Sequence, residues 1–183
     1  MERGTGVSGG RGIRLHGAGG SNSAGGAKTI KRHVVTCFLT RRGRILILKR
    51  SGRVGTFRGR WAGVSGYIEP GEMPLERAFK EIREETGLLE ESVQLVRGGG
   101  RLVVRSGSAD AAGANSGKSG RAGPGLKQPQ GVVFIVHPFL FELKRGRVRL
   151  DWEHTELRWV RPSELRRFRT VPGLAEALES VWR

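Results

Sequence analysis

Apolar positions along the chain recur with two different periods. HVVTCFLT (33–40) and RILILKR (44–50) are apolar, β-branched runs separated by Arg41, Arg42 and Gly43, which predicts a hairpin. WAGVSGYIE (61–69) predicts a short strand and turn. The period then changes. Leu75, Ala78, Phe79 and Ile82 fall at i, i+3, i+4 and i+7, with Pro74 at a first helical position and Gly87 just past the end, so this stretch predicts one amphipathic helix. SVQLV and RLVVR read as further strands, and GVVFIVHPFLFEL as a long one in which Pro138 implies a sheet edge or a bulge. RVRL and ELRWV predict strands; PSELRRF and GLAEALESVWR predict helices, the last burying Leu174, Leu178 and Val181. Strands and helices mix without a regular βαβ repeat, so the expected class is α/β with a mixed sheet covered by helices.

Two stretches carry no hydrophobic period. Residues 1–29 are rich in Gly, Ser and Arg and predict a disordered basic tail. Residues 106–130 have a similar composition but lie between strand-like runs, so they predict a flexible inserted loop within one domain spanning 30–183. The whole chain of 183 residues suits one such domain with tails.

Net charge sharpens the picture. The balance of 33 Lys+Arg against 17 Asp+Glu gives +16, a surface that attracts nucleotides, pyrophosphates or nucleic acid. A weak nucleic-acid contact through the basic tail follows as an expectation, salt-dependent and without aromatic residues for base stacking. The single cysteine, Cys37, excludes an internal disulfide and any cysteine-based zinc cage, and its place in VVTCFL predicts burial. VVFIVHPFLF is too short to span a bilayer, and no apolar stretch follows the N-terminal arginines as in a secretory signal. A soluble cytoplasmic protein is expected, monomer or homodimer.

The chemistry concentrates in GYIEPGEMPLERAFKEIREETGL, 66–88. Glu81, Glu84 and Glu85 crowd the C-terminal end of the predicted helix, where the macrodipole disfavours anions by a few tenths to about 1 kcal/mol each. Arg77 precedes Glu81 by four residues and Lys80 precedes Glu84 by four, so each predicts an ion pair along the helix. Two cations cannot neutralise this set together with Glu69 and Glu72, whereas a divalent ion such as magnesium takes oxygen ligands of this kind.

These residues resemble the Nudix box, G-x5-E-x7-R-E-U-x-E-E-x-G-U with U aliphatic: Gly66, Glu72, Glu81, Ile82, Glu84, Glu85, Gly87 and Leu88 match, and Lys80 stands where the family has Arg. At roughly 6–7% usage per residue, six matched Gly and Glu identities arise by chance below about once in ten million starts. LKRS and GRW before the box, and ELRWVRPSEL after it, resemble the family's flanking segments. The resemblance implies the Nudix α/β/α sandwich and hydrolysis of a nucleoside diphosphate linked to another moiety. It further implies Mg2+, with Mn2+ as the substitute, held by Glu81, Glu84 and Glu85 and activating water for attack. Glu81 or Glu84 then serves catalysis, Glu72, Lys80 and Gly87 support the box, and Gly66 shapes the loop. Lys80 keeps the charge of Arg but not its two-pronged geometry.

Part of the family uses a further late carboxylate, and DWEHTELRW offers Glu153, with Glu156 as the second choice. Arg50, Arg58, Trp61 and Tyr67 flank the box as candidates for phosphate contact and base stacking. His16, His33, His137 and His154 show no metal-ligand spacing, and AGANSGKS lacks the strand and helix that a phosphate loop needs. The substrate stays open among nucleoside triphosphates, nucleotide sugars such as ADP-ribose, dinucleoside polyphosphates, NADH and capped or triphosphorylated RNA. The alternatives are a basic nucleic-acid-binding protein and a Nudix-fold ligand sensor without catalysis.

Overall fold

The computed structural model describes residues 30–105 and 132–182. The tail at 1–29 and the loop at 106–130 therefore lie outside the described residues, and the roles expected of them with it. Among the described residues eight strands are seen: β1 (Ile30–Arg41), β2 (Arg44–Arg50), β3 (Trp61–Ala62), β4 (Val64–Tyr67), β5 (Val93–Gly98), β6 (Leu102–Arg105), β7 (Val132–Leu143) and β8 (His154–Val160). The helices are α1 (Pro74–Thr86) and α2 (Leu174–Val181). The spine of the sheet runs β3-β2-β1-β7-β5, with β4 pairing β1, β6 pairing β7 and β8 pairing β2. β1 and β7 run parallel while the remaining pairs are antiparallel, which makes the sheet mixed, as expected.

Side-chain alternation along the strands divides the core between the two faces. Val35, Cys37 and Leu39 of β1, Leu46 and Leu48 of β2, and Phe141 and Leu143 of β7 pack under α1 with its Ala78 and Ile82. Phe38, Ile45, Ile47, Phe134, Val136 and Leu140 point the other way, onto Leu174, Ala177, Leu178 and Val181 of α2. The three apolar residues expected to be buried in the last helix are 2%, 4% and 0% exposed. Cys37 is fully buried, as predicted. Helix α1 begins with Pro74 and ends on Gly87, whose φ of 68° is left-handed and whose N–H donates to Arg83 O at 2.9 Å.

Three expectations are corrected. Of the edge or bulge expected at Pro138, the edge is overturned: β7 is interior, with β1 on one side and β5 and β6 end to end on the other, and the β5 pairing shifts register between Leu95 and Arg97, opposite Phe141 and Leu140. Pro138 stands where the partner changes from β5 to β6, and its carbonyl accepts from Gly99 N at 2.9 Å, so its missing N–H faces a gap in the ladder. RVRL forms no strand: Arg149 N donates to Thr86 O at 2.9 Å, satisfying a carbonyl at the end of α1 instead of joining a sheet. PSELRRF forms a 3-10 turn over Pro162–Arg167, six residues being too few to propagate an α-helix without strong packing. Among the described residues no helix is long and apolar enough to cross a membrane.

Candidate active site

The box residues are held by two elements that meet at close range. Strand β4 carries Ser65, Gly66 and Tyr67 past the flank of α1 that bears Glu81 and Glu85. A Cβ on Gly66 would stand 1.5 Å from Glu81 Oε1 and 2.0 Å from its Cδ, so glycine there leaves the space that the Glu81 carboxylate occupies. Ser65 N lies 3.4 Å from both carboxylate oxygens of Glu85. Glu81 and Glu85 are 5% and 2% exposed, whereas Glu84 is exposed at the helix surface.

Burying two carboxyls side by side has an electrostatic cost, visible in their proton affinities. Burial pushes the Glu85 carboxyl well above the usual carboxylate range, and the charge of Glu81 adds to this, opposed by Ser65 N–H and Arg50. Glu81 is raised by burial and pulled back by Arg77, its ion-pair partner one helical turn earlier. Arg77 also lies 3.6 Å from Glu84. Lys80 does not pair with Glu84 as predicted; it reaches back to Glu72 Oε1 at 2.6 Å, while Glu72 Oε2 accepts from Glu69 N at 3.1 Å. The hydrogen bond from Lys80 holds Glu72 below its ordinary pKa. Lys80 and Glu72 thus staple the approach loop to α1, a task for one point charge that does not require an arginine fork.

A second group stands behind the first. Sequence spacing gave no role to Asp151 and set His154 aside, yet β8 brings His154, 5% exposed, against Glu85, with Nε2 3.8 Å from Glu85 Oε2. Asp151 Oδ1 lies 2.8 Å from His154 Nδ1 and accepts from Glu153 N at 3.2 Å. An aspartate accepts, so Nδ1 carries the proton and Nε2, which has no hydrogen-bond partner among the described residues, faces the carboxyl. Burial depresses the imidazole pKa, against the pull of Asp151.

Glu81, Glu84, Glu153, Gly66 and Tyr67 share the walls of one cleft of about 510 Å3 with Arg32, Arg50, Arg53 and Arg77. Trp152, 60% exposed, stands at its rim beside Glu153. Glu85 lies behind this wall. Among the described residues no three acidic, histidine or cysteine side chains converge as a metal-ligand set, and Arg77 bridges Glu81 and Glu84. Of the other candidates, Arg50 lines the cleft and its Nε donates to Thr56 O at 3.0 Å. Arg58 turns to Val54 O at 2.8 Å, bracing its own loop. Trp61 lies in the core, 7% exposed, its ring edge-on to Phe168 at 5.3 Å. Glu156 is paired to Lys49 at 2.5 Å across β2 and β8, away from the cleft. Arg32, Arg53 and Trp152 are lining residues that sequence reasoning did not find; each sits outside the box, Arg32 on β1 and Arg53 and Trp152 in the turns after β2 and before β8.

Comparison with known proteins bears on the family and the fold. The family model described as the NUDIX domain matches residues 30–181. Among solved structures, the MutT protein of Methanosarcina mazei Go1 superposes with a TM-score of 0.59 at 22% identity, over 83% of this chain and 93% of that one. The E. coli dihydroneopterin triphosphate pyrophosphohydrolase does so at 0.56 and 19%, over 83% and 96%. A C. elegans Ap4A hydrolase follows at 0.54 and 15%, over 83% and 94%. The family match over most of the chain, on a mixed sheet that sets the box helix against β4, makes this chain a member of the Nudix family.

Proposed function

We propose that the protein is a magnesium-dependent pyrophosphohydrolase that cleaves the diphosphate linkage of a nucleoside diphosphate derivative by attack of water. The observation that carries this reading is the shared cleft, in which Glu81, Glu84 and Glu153 face Arg32, Arg50 and Arg53. Carboxylates alone would repel a diphosphate, and arginines alone would bind it without activating water. Both sets on one cavity fit a polyanion that arrives with a cation.

The donor set fits such an ion. Every candidate ligand is a hard carboxylate oxygen, and two of them, on Glu81 and Glu85, are buried together with raised proton affinity, which a bound cation relieves. Glu81, Glu84 and Glu85 would hold Mg2+, with Mn2+ as the substitute, and Arg77 would give up its place between Glu81 and Glu84. When bound, the ion supplies neutralisation of phosphoryl oxygens and a lowered pKa for water. The protein's own groups do the rest. Arg50 and Arg53 orient the phosphates, Glu153 accepts the proton of the attacking water, Lys80 and Glu72 hold the approach loop, and Asp151 and His154 back Glu85.

The test measures release of phosphate or nucleoside monophosphate from a panel of nucleoside diphosphate derivatives, with and without magnesium, in the intact protein and in Glu85→Gln. Magnesium-dependent turnover that falls by about 100-fold or more in the variant is the expected outcome. Turnover unchanged by the substitution refutes the assignment of Glu85 as a ligand. The absence of turnover and of magnesium binding in the intact protein favours a sensor without catalysis.

A further inference from the structure

Strands β1, β2 and β8 bring a second charged surface together at the other end of β2 from the cleft. Arg41 of β1 faces Arg44 of β2 directly across the hairpin, and Ile45 faces Val160 of β8. Arg161, one residue past β8 and still extended at φ −70° and ψ 145°, follows in the same register beside Arg44. Three cations therefore stand on neighbouring strands about 4.8 Å apart, and like charges directly opposite one another destabilise a sheet. Arg42 adds a fourth. It turns the hairpin together with Gly43, at φ 51° and 70°, left-handed positions for which Asn-Gly is the favoured pair. Past β8 the chain folds back, so that Arg158, Trp159, Glu164, Arg167 and Phe168 line one groove of about 350 Å3. All six arginines are exposed. Arg44 and the Arg50 of the cleft lie at opposite ends of β2, about 20 Å apart at roughly 3.4 Å per residue.

The acids beside these arginines are already engaged. Glu164 Oε2 accepts from Arg161 N at 2.8 Å; that bond, opposed by burial and joined by the charges of Arg161, Arg167 and Arg44, holds the carboxyl below its ordinary pKa. One carboxylate thus stands among three arginines. Glu156 is shared between Lys49 at 2.5 Å and Arg158 at 3.6 Å, and Glu142, opposite Thr40 on the other side of β1, pairs with Lys144 at 2.6 Å. We infer that this end of the sheet binds single-stranded nucleic acid, its phosphates on the arginines and a base in the groove. A guanidinium meets a phosphate with two parallel N–H bonds, which an ammonium cannot do. The groove adds planes to the charge: Trp159 and Phe168 are half-buried at its walls, and the Arg158 guanidinium lies 5.9 Å from the Phe168 ring centre and 5.4 Å from that of Trp61. Unstacked bases lie on such planes, whereas a duplex keeps its bases in the stack and offers chiefly phosphates. The surface stands apart from the cleft and does not depend on the hydrolase reading.

The experiment titrates the full chain into a fluorescein-labelled oligouridylate of about 12 nucleotides and reads anisotropy over a series of salt concentrations. The variant combines Arg42→Asn, which suits the turn, with Arg167→Gln, and its thermal melt is expected at or above that of the parent. Each phosphate contact to a single strand contributes about 0.7 to the slope of log K against log salt, so the variant should flatten the slope by about 1.4 and bind about 25-fold more weakly at roughly 0.1 M salt. Arg167→Gln alone, outside the turn, should give half that change in slope and decides the matter if the hairpin is disturbed. An abasic strand of the same length keeps the phosphates and is expected to bind at least about 5-fold more weakly. Unchanged affinity and slope in a variant that melts normally overturn the inference, because the oligonucleotide is then held elsewhere on the chain. Equal binding of the abasic strand, or tighter binding of the duplex formed with oligoadenylate, overturns it as well. So does binding to phosphatidylserine vesicles, lost in the same variant, with none to the oligonucleotide, which assigns the patch to a membrane surface.

Discussion

Gly66→Ala adds one methyl group to β4 and tests the placement of Glu81. The new Cβ would lie 1.5 Å from Glu81 Oε1, 2.0 Å from Cδ and 2.8 Å from Cγ. Ordinary contact begins at roughly 3.5 Å, so the carboxylate must retreat by about 2 Å. What yields is the far end of a flexible side chain beside an open cleft rather than backbone, and the cost to stability is at the low end for overpacking, about 1 kcal/mol. For a chain of this size that lowers Tm by roughly 2–4 °C. The functional cost is larger. Retreat pulls Glu81 from its Arg77 partner and from the wall of the cleft it shares with Glu84 and Glu153. Misplacing a catalytic group by about 1 Å already costs on the order of 100-fold, so kcat/KM is expected to fall by at least about 100-fold, equivalent to about 2.7 kcal/mol of transition-state stabilisation. Hydrolysis measured over a magnesium titration, with a thermal melt of the same samples, separates the two effects. Activity within about 3-fold of wild type at unchanged magnesium demand would refute the reasoning, because the carboxylate would then have no need of the space beside β4. Outright unfolding would refute it differently, by showing that Glu81 cannot yield.

Glu153→Gln should lower kcat by about 100-fold with little change in KM or Tm, since its backbone bonds to Ser51 and Asp151 survive the substitution; an unchanged rate would move proton acceptance to Glu81 or Glu84. Gly99→Ala would set a Cβ 2.7 Å from Ser180 Oγ and 2.9 Å from both Pro138 Cγ and Val181 Cγ1, forcing α2 off β7. A loss of about 1–3 kcal/mol in chemical denaturation is expected, and none would mean that the contact relaxes freely. Burial pushes the Cys37 thiol well up, so the native protein should resist iodoacetamide at pH 8 and react once unfolded. The raised value favours the neutral thiol in the fold: this contribution to stability is full below the unfolded pKa near 8.5 and is lost as pH rises through the folded one, so denaturation midpoints should decline above about pH 8.5.

Local pattern determined much of this molecule. Period-two runs specify β1, β2 and β7, and the helical stripe of Leu75, Ala78, Phe79 and Ile82 between Pro74 and Gly87 specifies α1, because side-chain period and caps act within a few residues. The spacing of the box likewise determines which carboxylates share a helix flank. The tertiary structure decided which partner each of them meets. Lys80 stands one helical turn before Glu84 along α1, but the folded approach loop presents Glu72, and Lys80 pairs with that less exposed carboxylate. His154, backed by Asp151, meets Glu85 because β8 pairs with β2, a register that no local period encodes. Trp61 reads the same in sequence whether it faces substrate or core; the short pairing of β3 with β2 turns it onto Phe168. Pro138 could have marked an edge, yet two short strands laid end to end leave a gap for it inside the sheet. Propensity and capping are near-neighbour effects written into consecutive residues. Contacts across a sheet depend on how segments far apart in the chain settle against one another, and only the folded molecule resolves that competition.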